Sequence, residues 1–236
     1  MSLRILLALM FFAGIIFAAN SYVIAIDGSG SMAYKIGDKR KFTVAQDSVI
    51  CTLKVMRPED EVAIFVFEDA GKITLVHNFT RDKDELISAV DAATTKFGST
   101  ELSEGLNVSA TYLRMYAANY NRYLIVISDG GGANAALYAD AAYYRSVGVT
   151  KIHTVGLGID TMVKRGVALE SIAKSGGGNF YSTMDYYEPC SAVKAAYEDT
   201  AVSSGKVTDW CPMGMLILLG LALAYVSIKY LTRQEK

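Results

Sequence analysis

The sequence predicts an α/β fold in which a mostly parallel sheet is doubly wound, with helices on both of its faces. Short continuous apolar runs such as Tyr22–Ile26 are typical of strands that are buried on both faces. Segments with helical spacing, such as Lys41–Met56, alternate with these runs. The chain is 52% hydrophobic and 20% charged, which is enough apolar material for a real core and excludes a disordered protein.

The predicted strands are short apolar runs bounded by polar residues or glycine. One of them, Ile73–Phe79, follows its predecessor after only a short turn at Asp69-Ala70-Gly71, so we expect an antiparallel hairpin and one antiparallel edge strand. The predicted strands are Tyr22–Ile26, Val62–Phe67, Ile73–Phe79, Tyr123–Ile127, Ile152–Leu157 and Phe180–Ser182.

The predicted helices lie between these strands and each has an apolar face. In Lys41–Met56, apolar residues from Phe42 to Met56 recur at helical spacing, and Pro58 follows just beyond the end. The predicted helices are Lys41–Met56, Asp84–Ala93, Glu101–Tyr116, Ala135–Arg145, Val167–Lys174 and Ser191–Thr200. Strands and helices that alternate in this way are expected to be joined by right-handed crossovers.

An uncharged apolar stretch, Ile5–Ala19, follows Arg4 near the start of the chain. One basic residue, about 15 apolar residues and a small-residue end are typical of a secretory signal peptide. The bulky side chains of Ile16 and Phe17 do not suit a cleavage site at the end of the stretch, so an uncleaved anchor stays open. Residues 1–19 are therefore assigned to a signal peptide or an N-terminal membrane anchor.

A second uncharged apolar stretch, Met213–Ile228, lies near the other end of the chain. A spanning helix needs roughly 17–25 residues, and the interface residues Trp210 and Tyr230 extend the usable length. A buried core helix is the alternative. The predicted organisation is a domain at 20–203, a linker at 204–210, a transmembrane helix at 211–231 and a cytoplasmic tail at 232–236.

The basic residues that flank the two apolar stretches predict the orientation of the chain. Arg4 precedes the first stretch, while Lys229 and Arg233 follow the second. Because such residues stay in the cytoplasm, the domain between them is expected on the extracytoplasmic side. The sequence thus predicts a single-pass membrane protein, or a two-pass one if the first stretch is uncleaved, with lipid contacts along its C-terminal helix.

Polar side chains follow two of the predicted strands. The first strand ends in Asp27-Gly28-Ser29-Gly30-Ser31, and a later one ends in Ser128-Asp129-Gly130. Thr100 lies between them at a predicted helix start. In open α/β sheets ligands bind at the carboxyl ends of the strands, and carboxylate and hydroxyl oxygens are what a hard cation such as Mg²⁺ prefers.

At these residues the sequence resembles the von Willebrand factor A (VWA) domain, which has a Rossmann-like fold. The metal-ion-dependent adhesion site of that family has the pattern Asp-x-Ser-x-Ser, then a distant Thr and a distant Asp. The resemblance covers Ser21 to about Ser203 and implies direct coordination by the hydroxyls and direct or water-mediated coordination by the carboxylates. The predicted metal residues are Asp27, Ser29, Ser31, Thr100 and Asp129, and the predicted ion is Mg²⁺, with Mn²⁺ or Ca²⁺ as alternatives.

The resemblance implies a non-enzymatic binding module in which an Asp or Glu of a partner protein completes the coordination of the cation. Tyr34, in the loop after the metal motif, is the residue that we expect to touch the partner. The alternative is a scaffold subunit of a membrane assembly, whose partners would be the other subunits. A shift of the last helix on metal binding is known in such families, but the sequence does not establish it.

Other functions have little support in the sequence. A net charge of −1 without a basic block gives no surface for nucleic acid. The pattern Gly28-x-Gly30-x-x-Ala33 formally matches a dinucleotide fingerprint, but the preceding carboxylate would repel pyrophosphate. A serine nucleophile would lack a base, because His77 and His153 fall within predicted strands. No catalytic residue is therefore predicted.

The three cysteines are too few for a disulfide scaffold, and their spacing does not suit zinc. Cys51 lies in the middle of a predicted helix and is expected to be a small buried residue. Cys190 and Cys211 flank the last helix of the domain, and a disulfide between them is an open alternative in an oxidising compartment.

Overall fold

The computed structural model describes residues 19–68, 72–99, 102–132, 136–159, 162–184 and 189–205. The predicted leading segment up to residue 18, the transmembrane helix at 211–231 and the tail at 232–236 lie outside these residues, as does Thr100. Within the part of the chain that is described, no helix is both long enough and apolar enough to cross a bilayer.

The strands are β1 Asn20–Asp27, β2 Lys35–Ile36, β3 Lys39–Arg40, β4 Glu61–Phe67, β5 Ile73–Thr80, β6 Asn121–Ser128, β7 Lys151–Gly156 and β8 Gly177–Ser182. In the described residues, six of them form the main sheet in the order β5-β4-β1-β6-β7-β8. Neighbouring strands are parallel except β4 and β5, which are antiparallel. The predicted sheet, mostly parallel with one antiparallel edge strand, is confirmed.

The helices are α1 Lys41–Val55, α2 Lys83–Ala92, α3 Leu102–Tyr116, α4 Ala136–Ser146, α5 Lys164–Ser175 and α6 Pro189–Gly205. They cover the sheet on both sides. Ile24 and Ile26 of β1 pack in a core with α1, α2 and α6, whereas Val23 and Ala25 pack in a second core with α3, α4 and α5. This alternation follows from the two-residue repeat of a strand, and it confirms the doubly wound architecture.

The structure adds a hairpin to the predicted elements and lengthens several of them, including α5 and β8, which begin at Lys164 and Gly177. The predicted loop before α1 contains the antiparallel hairpin β2–β3, whose turn at Gly37-Asp38 places Gly37 at a φ of +63°. Glycine adopts this conformation without strain, and Gly-Asp is a common two-residue hairpin turn. The last helix continues to Gly205 rather than ending at Thr200.

A disulfide joins Cys51 in the middle of α1 to Cys190 in the first turn of α6, with 5.7 Å between the two Cα atoms. Cys51, expected to be a small buried residue, is only partly buried and forms a disulfide that was not predicted. The partner of Cys190 is Cys51 and not Cys211, which lies outside the described residues. The two helices are neighbours on one face of the sheet although their cysteines are 139 residues apart. Such a pairing depends on helix packing and has no local signal in the sequence.

Replacing both Cys51 and Cys190 with serine is expected to lower the free energy of unfolding by about 2–4 kcal/mol, because the bond closes a long loop in the unfolded chain. Chemical denaturation of the oxidised full chain measures the change. Cys211→Ser is the control and is expected to leave the midpoint of the unfolding transition unchanged. An unchanged midpoint in the double variant would contradict the stabilising role of the bond.

Candidate metal centre

Four of the predicted metal residues, Asp27, Ser29, Ser31 and Asp129, lie at one edge of the sheet. Asp27 is the last residue of β1, Asp129 directly follows β6, and β1 and β6 are neighbours. Because these strands are parallel, their carboxyl ends meet at the same edge. We call this edge the upper end of the domain. The opposite edge, where β1 starts at Asn20, is the base.

Asp27 is fully buried and has a protein partner for each carboxylate oxygen. Oδ1 accepts a hydrogen bond from the backbone N–H of Ser29 at 2.8 Å, and Oδ2 accepts one from the hydroxyl of Ser128 at 2.5 Å. Ser128 also accepts a bond from the backbone N–H of Gly130 at 3.0 Å. The carboxylate therefore ties the loop after β1 to the loop after β6.

The two serine hydroxyls connect Asp27 to Asp129. The Oγ atoms of Ser29 and Ser31 are 3.3 Å apart, and Ser31 donates to Oδ1 of Asp129 at 2.8 Å. Ser29 and Asp129 are buried, and Ser31 is partly buried. Four of the five predicted metal residues thus converge, whereas Thr100 lies outside the described residues.

Two glycines allow this loop to lie close to its neighbours. A Cβ atom on Gly28 would come within 2.6 Å of Oγ1 of Thr95 and 2.9 Å of Val66 Cγ1. The backbone N–H of Gly30 donates to the carbonyl of Gly98 at 2.6 Å. The segment that leads to Thr100 is therefore held against the Asp27 loop, because Gly98 precedes Thr100 by two residues in the sequence.

A cation of the chain itself contacts the site. Nζ of Lys41 lies 2.6 Å from Oδ2 of Asp129, and the lysine side chain is largely buried. Nη1 of Arg165 lies 3.7 Å from the same oxygen, with its side chain mostly exposed. Sequence reasoning missed both residues. The position of Lys41 depends on the hairpin β2–β3, which brings the first residue of α1 back to the upper end, where its N–H donates to the carbonyl of Tyr34 at 2.8 Å.

The two carboxylates differ in their electrostatics. Burial raises the pKa of Asp27, and the hydrogen bonds from Ser128 and Ser29 oppose that rise only in part. Burial also acts to raise the pKa of Asp129, but hydrogen bonds from Lys41 and Ser31 and the charge of Lys41 hold it below its usual value. Asp129 is therefore the more strongly ionised carboxylate of the pair.

The donor types of this cluster fit a hard divalent cation. Its side-chain oxygens are two carboxylates and two hydroxyls, which are ligands for Mg²⁺, Mn²⁺ or Ca²⁺ rather than for zinc or copper. No group of three His, Cys, Asp or Glu residues within the described ranges could hold a metal ion, so the hydroxyls are necessary to any such site. The ammonium of Lys41 is the feature that works against cation binding.

Exposed apolar side chains surround the upper end. Tyr34, the residue that we expect to touch a partner, is 71% exposed. Met162 and Val163, which follow β7, and Met184, which follows β8, are also large, apolar and exposed. Sequence reasoning singled out Tyr34 and missed the other three, because they lie in loops with no recognisable pattern.

Neither histidine lies close to Ser29 or Ser31 in the fold. His77 lies on the edge strand β5, and His153 lies in the middle of β7. His153 is fully buried, its Nδ1 accepts a bond from Asn179 N–H at 3.1 Å, and its Nε2 has no hydrogen-bond partner in the described residues. Nε2 is 3.6 Å from Oδ2 of Asp199, which also contacts Lys151 at 3.3 Å.

Acid is expected to destabilise the domain through His153. Burial, reinforced by the charge of Lys151 and opposed by Asp199, lowers the pKa of His153 from 6.5 to about 4. Below pH 6.5, His153 is protonated in the unfolded chain but stays neutral in the folded chain. The free energy of unfolding therefore falls progressively as the pH drops to about 4, by roughly 3 kcal/mol in all.

Denaturant unfolding between pH 7 and pH 4 measures this loss, and His153→Gln is expected to reduce its size. His77→Gln, on the partly exposed edge strand, serves as the control and should behave like the unaltered chain. An equally steep fall in the His153→Gln protein would show that other groups cause the acid sensitivity.

Part of the chain matches a known family model. Residues 22–131 match the family model of the von Willebrand factor type A domain, a span that includes all five predicted metal residues. Among curated proteins, no sequence matches the chain.

Solved structures of similar fold come from several bacteria. An aerotolerance-related membrane protein from Bacteroides fragilis has a TM-score of 0.63 and 20% identity, over 77% of this chain and 98% of that one. The conserved hypothetical protein BatB from Bacteroides thetaiotaomicron has a TM-score of 0.64 and 17% identity, over 80% and 100%. The PilB minor pilin from Streptococcus sanguinis has a TM-score of 0.62 and 12% identity, over 80% and 63%. At these identities the similarity establishes a shared fold.

Proposed function

We propose that this chain, in which residues 22–131 match the family model of the von Willebrand factor type A domain, is a membrane-anchored module that binds a partner protein through a divalent cation. The observation that carries the proposal is the convergence of Asp27, Ser29, Ser31 and Asp129 at the ends of two adjacent parallel strands. Hydrogen bonds among its own members compensate the burial of this cluster, and the same carboxylate and hydroxyl oxygens are ligands that a hard cation prefers.

The residues of the metal centre would have different roles. Ser29, Ser31 and Thr100 would hold the cation with their hydroxyl oxygens, and Asp27 and Asp129 would hold it directly or through water. The bound cation would supply an open coordination position that accepts an Asp or Glu carboxylate of the partner.

The partner would also contact the apolar side chains around the cluster. Tyr34, Met162 and Met184 are exposed at the upper end, and aromatic and methionine side chains are enriched in protein interfaces. They would supply apolar contact area around the partner's carboxylate. That carboxylate by itself gives little selectivity among partners.

The membrane part of the proposal rests on the apolar stretches Ile5–Ala19 and Met213–Ile228. One structure of similar fold is that of an aerotolerance-related membrane protein. The described domain starts at the base with Asn20, and α6, which begins after the upper end of β8, runs back towards the base. Both attachments would then lie at the base, and the metal centre would face away from the bilayer.

One observation favours a second candidate, a scaffold subunit of a membrane assembly that contacts its neighbours without a metal. Lys41 and Arg165 already place positive charge beside Asp129, and Ser31 donates to it. The loops of the upper end therefore have internal contacts that could hold their shape for subunit binding.

Two measurements on the full chain test the proposal. Calorimetric titration with Mg²⁺ and Mn²⁺ in detergent is expected to show saturable one-site binding that is lost in Ser31→Ala, a change at a partly buried position that the fold should tolerate. A photo-crosslinking residue in place of Tyr34 is expected to form a discrete adduct in native membranes, and EDTA should abolish it. An adduct that persists in EDTA would favour the scaffold, and the absence of both binding and adduct would contradict the metal-bridged function.

A further inference from the structure

Three large side chains with apolar surface are exposed together at the base, opposite the candidate metal centre. Met115 and Tyr116 end helix α3, and Tyr120 immediately precedes β6; they are 66%, 59% and 93% exposed. We call these three residues the basal patch. The candidate metal centre does not involve them, because it lies at the other end of the same strands.

Hydrogen bonds attach the segment between Tyr116 and Tyr120 to the start of the sheet. The backbone N–H of Ala118 donates to Oε1 of Glu61 at 2.7 Å, and that of Asn119 donates to the hydroxyl of Ser21 at 3.1 Å. Ser21 in turn donates to Oε1 of Glu61 at 2.6 Å. The basal patch is therefore fixed in position relative to the first residues of β1.

The same corner of the domain is where the chain enters β1. Asn20 is fully buried, its N–H donates to Oδ1 of Asp60 at 2.9 Å, and its Oδ1 accepts from the side chain of Asn121 at 3.1 Å. Asn121 is paired with Asn20 in the sheet, and Tyr120 is the residue just before it. Since paired strands are about 4.8 Å apart, Tyr120 lies close to the point where the apolar stretch Ile5–Ala19 joins the domain.

We propose that the basal patch lies in the headgroup region of the bilayer that anchors the chain. The proposal rests on the membrane anchoring in the proposed function. If Ile5–Ala19 crosses the bilayer, its end lies at the membrane surface, and the rigid attachment of Asn20 leaves no linker to lift the base away from it.

The chemistry of the patch suits this location. Tyrosine is enriched at membrane interfaces, where its ring contacts the acyl region and its hydroxyl stays hydrated. The thioether of Met115 adds apolar area to the patch. Arg114, which precedes Met115 in the sequence and is partly exposed, can pair with anionic headgroups. A soluble protein partner or a second copy would have to compete with this bilayer for the same surface.

Spin labels on the full chain in liposomes of phosphatidylcholine and phosphatidylglycerol test the location. Labels are placed at Tyr120→Cys and, as the matched control at the upper end, at Tyr34→Cys, both with Cys211→Ser and the Cys51–Cys190 disulfide intact. The measurement is the collision rate of each label with a water-soluble nickel chelate and with oxygen. The label at position 120 is expected to show several-fold lower access to the chelate and higher access to oxygen than the label at position 34.

Each other outcome overturns the proposal in a distinguishable way. Equal access of the chelate to both labels, in protein that floats with the liposomes, shows an anchored domain whose base stands away from the bilayer. Dipolar broadening at position 120 shows that a second copy covers the patch. Protein that does not float with liposomes refutes the anchoring as well as the basal contact.

Discussion

Lys41→Met is expected to destabilise the protein in a chelator and, at the same time, to tighten its binding of Mg²⁺. The ammonium of Lys41 lies 2.6 Å from Oδ2 of the buried Asp129. Removing one partner of a buried ion pair costs about 3–5 kcal/mol when the other charge is left uncompensated. Asp129 keeps the hydrogen bond from Ser31 and the more distant Arg165, so we expect a loss at the lower end of that range. A divalent cation would restore that compensation, and it would no longer be repelled by the ammonium.

The size of the second effect follows from electrostatics. At an effective dielectric constant of about 20, two unit charges 4 Å apart interact by about 4 kcal/mol, so loss of the ammonium should tighten Mg²⁺ binding by roughly tenfold or more. Calorimetric titration gives the dissociation constant. Thermal unfolding is measured in EDTA and in Mg²⁺. The difference between these two unfolding midpoints should be larger for Lys41→Met than for the unaltered chain.

Lys39→Met is the matched control for this change. Lys39 forms an ion pair of similar length, 2.8 Å, with Asp47, but both side chains are exposed. Surface pairs of this kind contribute about 0–1 kcal/mol, so neither stability nor Mg²⁺ affinity should change appreciably. Equal Mg²⁺ affinities in Lys41→Met and the unaltered chain would show that Lys41 does not compete with the cation.

Asp27→Asn is expected to abolish Mg²⁺ binding while the fold remains nearly as stable. Because burial raises the pKa of Asp27, the site favours a neutral group there, and an amide is neutral. The amide oxygen can still accept from Ser29 N–H, and the amide nitrogen can donate to the hydroxyl of Ser128. Loss of a ligand carboxylate should weaken binding by more than about 100-fold, since even changes in the surrounding shell cost 10–100-fold.

Two other substitutions complete this test. Asp27→Ala removes both acceptors and leaves Ser29 N–H and the hydroxyl proton of Ser128 without an acceptor, although Ser128 Oγ still accepts from Gly130 N–H. We therefore expect it to lose about 1–3 kcal/mol for each of these two donors as well as the binding. Asp47→Asn, at an exposed position, should change neither property. Mg²⁺ binding that survives in Asp27→Asn would place the cation elsewhere and would refute the assignment of the site.

The two carboxylates of the site have different roles. Asp27 ties together the two loops through Ser29 and Ser128, whereas Asp129 carries the charge and is the one that Lys41 compensates. Cation binding at this site would therefore be an exchange of one positive charge for another at Asp129.

The sequence by itself determined the architecture and the place of the candidate site. Apolar runs such as Tyr22–Ile26 identify strands buried on both faces, and parallel strands bring their carboxyl ends to one edge. Asp27, Ser29, Ser31 and Asp129 could therefore be placed together before the fold was known. This succeeded because the periodicity of strands and helices and the polarity of strand ends are local properties of the chain.

Only the tertiary structure decided which distant residues meet. The contact of Lys41 with Asp129 spans 88 residues and depends on a hairpin within a predicted loop, and the bond between Cys51 and Cys190 depends on the packing of α1 against α6. The position of Tyr120 beside the start of β1 likewise follows from strand pairing. Contacts of this kind arise from how whole elements pack and pair. No local pattern of residue types predicts them.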